Sequence, residues 1–175
     1  VIDLSRTLVS AVIVALAAAP IAHAASAGAT TSATIFKPMA VTAAAQMSFG
    51  RLQYNGKAGR EVATVVLSAA APATRTSADA QLLPNGGETP AVRNITGEPG
   101  RAYRVTVSPA LASPGGLAVD DFRIWSANSG DITARSGMLG PSGTDTIRIG
   151  ATLWVPRGTK NDVYTALPTI NIAYE

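Results

Sequence analysis

The feature that most constrains this chain is a hydrophobic period of two, broken at short intervals by turn residues. Tyr103, Val105 and Val107 alternate with Arg104 and Thr106. Ile147, Ile149, Ala151, Leu153 and Val155 alternate with Arg148, Gly150, Thr152 and Trp154. Near the end, Tyr164, Ala166, Ile170, Ile172 and Tyr174 share one side, with Thr165, Thr169 and Asn171 opposite. Successive side chains of a strand point to opposite faces, so each such segment can bury one face. Further strands are expected at 39–42, 47–49, 62–67, 91–95 and 118–125. Between them stand clusters such as Pro84-Asn85-Gly86-Gly87, Gly97-Glu98-Pro99-Gly100 and Gly140-Pro141-Ser142-Gly143. Glycine supplies positive φ and proline presets φ, so these clusters reverse the chain. The spacing predicts an all-β domain of about eight strands, with an Ig-like antiparallel sandwich as its default architecture. Residues 69–83 read as a loop, because Pro72 and the Ser/Thr content disfavour a helix.

Two prolines refine the picture. A proline donates nothing to a sheet ladder, so Pro168 places the start of the last strand at an edge or a bulge. Pro38 lets one extended segment leave the sheet and another begin.

The composition suits a packed domain. Of 175 residues, 47% are hydrophobic and 14% charged, enough apolar material for one core and too little charge for a disordered tail. The net charge of +3 is scattered. No run of Lys or Arg could neutralise a row of phosphates, so no nucleic acid is expected as a partner.

The first residues read as an export signal. Arg6 precedes an uncharged run rich in Leu, Val, Ile and Ala, Pro20 follows, and Ala22-His23-Ala24 offers small side chains where a signal peptidase requires them. Cleavage is expected after Ala24. The apolar run is about half of the roughly 20 residues that span a bilayer, so the membrane is met only during export. The expected organisation is a signal peptide at 1–24, a leader at 25–36 and a single β-sandwich domain at 37–175. Localisation follows as secreted, from periplasm to cell surface.

No catalytic constellation is legible. There is no Cys, and the single His, His23, lies within the expected signal. A serine or cysteine nucleophile would have no imidazole beside it. Neighbouring carboxylates Asp120 and Asp121 would diverge from a strand, and Asp131, Asp145 and Asp162 read as turn-shaping residues. Glu61, Glu88 and Glu98 have no supporting motif for a paired-carboxylate glycosidase. The chain is expected not to be an enzyme and to need no cofactor and no metal.

Three stretches carry a resemblance. They are residues Ala33-Thr34-Ile35-Phe36-Lys37-Pro38-Met39 with Met47-Ser48-Phe49-Gly50, Ile95 to Tyr103 around Thr96-Gly97-Glu98-Pro99-Gly100, and the closing Tyr164-Thr165 with Ile170 to Tyr174. Together they resemble the bacterial family catalogued as DUF4402. More distantly, the layout is similar to spore-coat-U and archaic chaperone–usher pilin subunits, although their cysteine pair is missing here. The pilin resemblance implies an incomplete sandwich filled by the N-terminal segment of the next subunit. It implies self-association, with a periplasmic chaperone and an outer-membrane usher as partners.

On that expectation Ala27, Ala29, Thr31, Ala33 and Ile35 form the candidate donor strand, and Ile170, Ile172 and Tyr174 the candidate assembly strand. The expected role is a pilus-like structural subunit of the bacterial surface. The alternative is a self-contained secreted module that binds carbohydrate or a surface protein. Trp125 and Trp154 are its candidate exposed aromatics, since exposed aromatic side chains mark interfaces.

Overall fold

A computed structural model describes residues 31–54, 59, 61–113 and 116–175. The chain divides into two compact units, Val1–Thr34 and Ile35–Glu175. In the first, residues 31–34 are exposed and lie outside any strand. The second is all-β and antiparallel; among the described residues there is no helix.

Its strands are β1 (Ala40–Ala45), β2 (Leu52–Gln53), β3 (Val62–Leu67), β4 (Arg75–Ala78), β5 (Gln81–Leu82), β6 (Ala91–Thr96) and β7 (Ala102–Val107). They continue as β8 (Ala110–Ala112), β9 (Leu117–Ser126), β10 (Gly130–Asp131), β11 (Gly137–Met138), β12 (Thr144–Pro156) and β13 (Ile170–Tyr174). The larger sheet is built on β12. One flank of β12 pairs first with β6 and then with β3, which carry β1 and β4 outside them. The other flank pairs with β9, which carries β8 and β10. A second sheet runs β11–β7–β13, and β2 pairs with β5 as a separate ribbon.

The change of partner along β12 has a local cause. Thr144–Ile149 face β6 and Ala151–Pro156 face β3. At Gly150, between them, the backbone after β3 crosses the strand. A Cβ there would lie 2.7 Å from both Ala69 N and Ser68 C, and closer still to Leu67 O. Only glycine admits that approach.

Opposite the same point, β9 carries an extra residue. Gly150 pairs with Arg123 but Thr152 with Asp120, and Asp121 takes φ 46°. This bulge moves the inward set of β9 from Leu117 and Val119 to Ile124 and Ser126, all of them buried. The expected strand is therefore present, but a single alternation does not run through it.

The core has two parts. One is formed by Ala91, Ile95, Tyr103, Val105, Ile124, Ile132, Leu139, Ile147 and Ile149, between the larger sheet and the second sheet. The other comprises Ala63, Val65, Ala112, Leu117, Val119, Ala151, Leu153 and Val155. No residue of β7, β11 or β13 belongs to that second part. It is covered instead by Met47, Phe49, Leu52, Tyr54, Leu82, Tyr164 and Ala166, which lie on loops and on the β2–β5 ribbon.

Two expectations are corrected. Residues 47–49 form no strand, only the isolated bridge between Ser48 and Thr89. Residues 69–83 are not merely a loop: β4 and β5 form there, and β4 pairs with β3 from Thr64↔Ala78 to Leu67↔Arg75. The short Arg-Thr-Ser-Ala sequence has no apolar alternation to announce a strand. Its pairing with β3 is a tertiary effect.

Candidate functional site

Over the second core part lies a recess of about 790 Å³. Its floor is the inward face of the larger sheet, at Leu117, Val119, Leu153 and Val155. One wall is residues 47–54, and the other is residues 159–166. The second wall is only lightly tied into the fold. Thr165 makes an isolated bridge with Ser113, and regular pairing resumes only at Ile170, past Pro168. Between those points the backbone of Ala166 and Leu167 makes no hydrogen bond among the described residues. The half-buried, exposed alternation read from Tyr164 to Tyr174 is present throughout, although the strand proper is Ile170–Tyr174.

Arg75 holds the first wall in place. Its Nη1 donates to Phe49 O (2.6 Å) and Arg51 O (2.9 Å), and its Nη2 donates to Leu83 O (2.9 Å). Glu88 lies 3.6 Å from the guanidinium, whose side chain is 5% exposed. A buried cation that binds three carbonyls fixes the loop on which Phe49 and Leu52 sit.

Of the three stretches that carried the resemblance, Met47–Gly50 and Tyr164-Thr165 line the recess, while Phe36-Lys37, the turn around Glu98 and Tyr174 meet elsewhere, at the pole beside the start of β12. Tyr174, at the end of β13, crosses over Gly97; a Cβ on that glycine would collide with Tyr174 Oη and lie 3.0 Å from Leu139 Cδ1. The Tyr174 hydroxyl accepts from Glu98 N (2.6 Å) and donates to Lys37 O (2.9 Å). Lys37 N donates to a Glu98 carboxylate oxygen at 3.1 Å, and the Arg101 guanidinium stacks 3.8 Å over the Phe36 ring. The entry to the domain, the turn after β6 and the final strand are thus clasped together. Nearby, Gly97 N donates to Gly143 O (2.8 Å), next to the first residue of β12.

A polar cluster inside the first core part was not legible as one. Asp145, expected to shape a turn, is instead the second residue of β12 and is buried. Its Oδ2 accepts from Tyr103 Oη (2.6 Å) and Ser126 Oγ (2.5 Å); its Oδ1 accepts from Thr146 N (2.7 Å) and Asn128 N (3.3 Å). Tyr103 and Ser126 are fully buried. Asp145, Tyr103 and Ser126 are all buried, so the role of the arrangement is to satisfy and position core groups.

Burial, and then the hydrogen bond to Asp145, push the Tyr103 hydroxyl well above its ordinary value of 10.0. The folded protein keeps this proton at a pH at which the unfolded chain releases it. The unfolded state then binds fewer protons, so stability is complete below about pH 10 and falls above it by up to about 1.4 kcal/mol per pH unit. Urea midpoints measured from about pH 8 to about pH 11 should show this decline, and Tyr103→Phe should flatten it by one proton. An unchanged slope in Tyr103→Phe would assign the alkaline loss to other groups.

The remaining predicted residues are distributed as follows. Ala27 and Ala29 lie outside the described residues. Thr31, Ala33 and Ile35 are exposed and outside any strand. Ile170, Ile172 and Tyr174 pack against the first core part, with β13 at the edge of its sheet. Trp125 and Trp154 are 42% and 40% exposed on the outer face of the larger sheet. They do not form one platform. Trp125 sits opposite Arg148 and Trp154 opposite Ala118, which separates them by the length from Arg148 to Trp154 along β12, about 20 Å. Asp120 accepts from Trp154 Nε1 (2.5 Å), while Asp121 pairs with Arg123 (3.3 Å), so the adjacent acids serve separate partners. Asp131 is the last residue of β10 and Asp162 lies outside any strand; each makes a local hydrogen bond of the kind expected, accepting from Thr133 N and Val163 N. Among the described residues no three His, Cys, Asp or Glu side chains gather as metal ligands.

Arg75, Asp145 and Gly150 are the structural residues that the sequence reading missed. Gly150 alone left a signal, as a glycine inside a long apolar alternation, which marks a close backbone approach.

The family model described as "Domain of unknown function (DUF4402)" matches residues 39–174. No curated protein and no solved structure matches the chain.

Proposed function

This chain belongs to the DUF4402 family, and we propose that it is an exported structural subunit that assembles at the bacterial surface by β-strand addition. The observation that carries this reading is the recess over the second core part, with the loosely paired wall at Ala166 and Leu167. An added strand could hydrogen-bond to that wall and lay alternate side chains toward Leu117, Val119, Leu153 and Val155. Before assembly the recess would need a temporary occupant, which is the role of a periplasmic chaperone; an usher would then exchange it for a subunit.

Geometry favours a neighbour's leader as the permanent occupant. The clasp fixes Phe36 and Lys37 at the pole where β12 begins, whereas Leu153 and Val155 lie near its other end. That offset is roughly 30 Å at the rise of a strand. A leader of residues 25–35 reaches roughly 36–40 Å when fully extended, so most of it would be spent in reaching its own recess. Insertion into the next copy has no such cost, and a head-to-tail contact of this kind propagates as an open chain.

The test is thermal melting of the chain without residues 25–36, with and without a synthetic peptide of that segment. At about one hundred times its dissociation constant, a bound peptide should add ~2.7 kcal/mol and raise the melting temperature. A stable domain indifferent to the peptide would overturn strand addition. It would leave the self-contained binding module, which rests on the exposed Trp154 ring held by Asp120.

A further inference from the structure

The larger sheet ends at β1, and β1 is an unusual edge. Its sequence is Ala-Val-Thr-Ala-Ala-Ala, and its first five residues are exposed, so both faces of the strand are open. It carries no charge and no proline. Its only partner among the described residues is β6. The one charged side chain of β6, Arg93, folds back on Ala45 O (2.8 Å) and leaves the rest of the edge bare.

The other edges differ. β4 holds Arg75, whose guanidinium is committed to the loops, and β8, β10 and β11 are three residues or fewer. β13 has alternate residues half-buried and is bounded by Pro168 and by the Arg104–Glu175 ion pair at 2.9 Å. Natural sheets guard an exposed edge with charge, proline or brevity, because unpaired N–H and C=O groups template a further strand. The outer edge of β1 has none of these within its length.

The geometry points to β1 as a self-pairing edge, joining two copies of this chain antiparallel into a two-fold dimer whose larger sheets become continuous. This inference is independent of the strand-addition reading. The strand carries no charge, so two copies meet at this edge without like-charge repulsion, and antiparallel pairing of one strand with itself satisfies two-fold symmetry. The register of β1 on β6 shifts between Ala43 and Ala45, so the regular part of the edge is Ala40–Ala43. A contact of that length makes the dimer weak and concentration-dependent.

The experiment is sedimentation of the full chain across a concentration series, beside Ala43→Lys. The native chain should pass from monomer to dimer as concentration rises. Ala43→Lys, which gives an uncharged paired edge one charge from each copy, should stay monomeric with an unchanged far-UV spectrum. Because the chain contains no cysteine, Val41→Cys, Thr42→Cys, Ala43→Cys and Ala44→Cys give a second reading. Residues facing each other across an antiparallel pair lie about 4.5–5.5 Å apart at Cα, within disulfide reach. Oxidative cross-linking should therefore peak at the position on or beside the axis and fall away along the strand.

A chain that is monomeric at every concentration overturns the inference, including the case in which its own leader covers the edge. So does a dimer that Ala43→Lys leaves intact, or cross-linking equal at all four positions. Head-to-tail chains would be told apart by growth beyond the dimer and by competition from the leader peptide.

Discussion

Asp145→Ala is expected to cost roughly 3–5 kcal/mol. The carboxylate accepts four hydrogen bonds, and two of its donors, the Tyr103 and Ser126 hydroxyls, are fully buried. Alanine removes the acceptor but not the donors, and a buried donor left without a partner costs about 1–3 kcal/mol. There is no room for rearrangement at Tyr103, because Gly137 lies directly against its ring; a Cβ there would be 2.6 Å from the hydroxyl oxygen. For a domain of this size the melting temperature should fall by on the order of 10 °C. Asp145→Asn keeps one acceptor oxygen but turns an amide N–H₂ toward hydroxyl donors, and should fall between the two. Urea denaturation at neutral pH checks all three proteins. An Asp145→Ala variant within about 1 kcal/mol of the native chain would mean that water or a rotated hydroxyl replaces the carboxylate.

Gly150→Ala should be nearly as damaging for a different reason. The methyl group would meet backbone, at Leu67 O, Ser68 C and Ala69 N, and not the movable end of a side chain. Either the end of β3 or the middle of β12 must move, and Leu67 is fully buried while Ala151 belongs to the second core part. Overpacking of this kind costs ~1–3 kcal/mol when side chains can yield, and about 3 kcal/mol or more is expected when they cannot. Gly140→Ala is the comparison. Its added methyl would approach nothing closer than the Asn128 side-chain amide at 3.3 Å, so it should cost far less. Equal stability of the two variants in denaturant titrations would show that the crossing at Gly150 relaxes freely.

The two variants also mark where the sequence was readable. Alternation along Ile147–Val155 located β12 and its buried face, and Gly140, Pro141 and Gly143 located the turn before it. Asp145 lies between those signals. An acid beside a Gly/Ser turn reads as a turn residue, and nothing in its neighbours indicates that Tyr103 and Ser126 close over it from other strands. Arg75 was hidden in the same way. A lone arginine in a Ser/Thr-rich stretch looks like surface, yet it is the residue on which one wall of the recess depends.

The recess was not legible from local pattern. Local pattern identified its floor, since Leu153 and Val155 plainly face inward. It could not show that the second sheet stops short of them. Likewise, the two tryptophans looked like one candidate surface until the strand register set them about 20 Å apart.

Local pattern was enough for the all-β class, most of the longer strands, the inward faces of β7, β12 and β13, and the family. These follow from period-two alternation and turn chemistry, which are local properties of the chain. Only the tertiary structure decided that β12 changes partners at Gly150, that a bulge at Asp121 reverses the inward set of β9, that Tyr174 clasps Lys37 and Glu98, and that Asp145 is buried. Each of those depends on backbone or side chains brought together from distant positions, and such meetings leave no periodicity for a sequence to display.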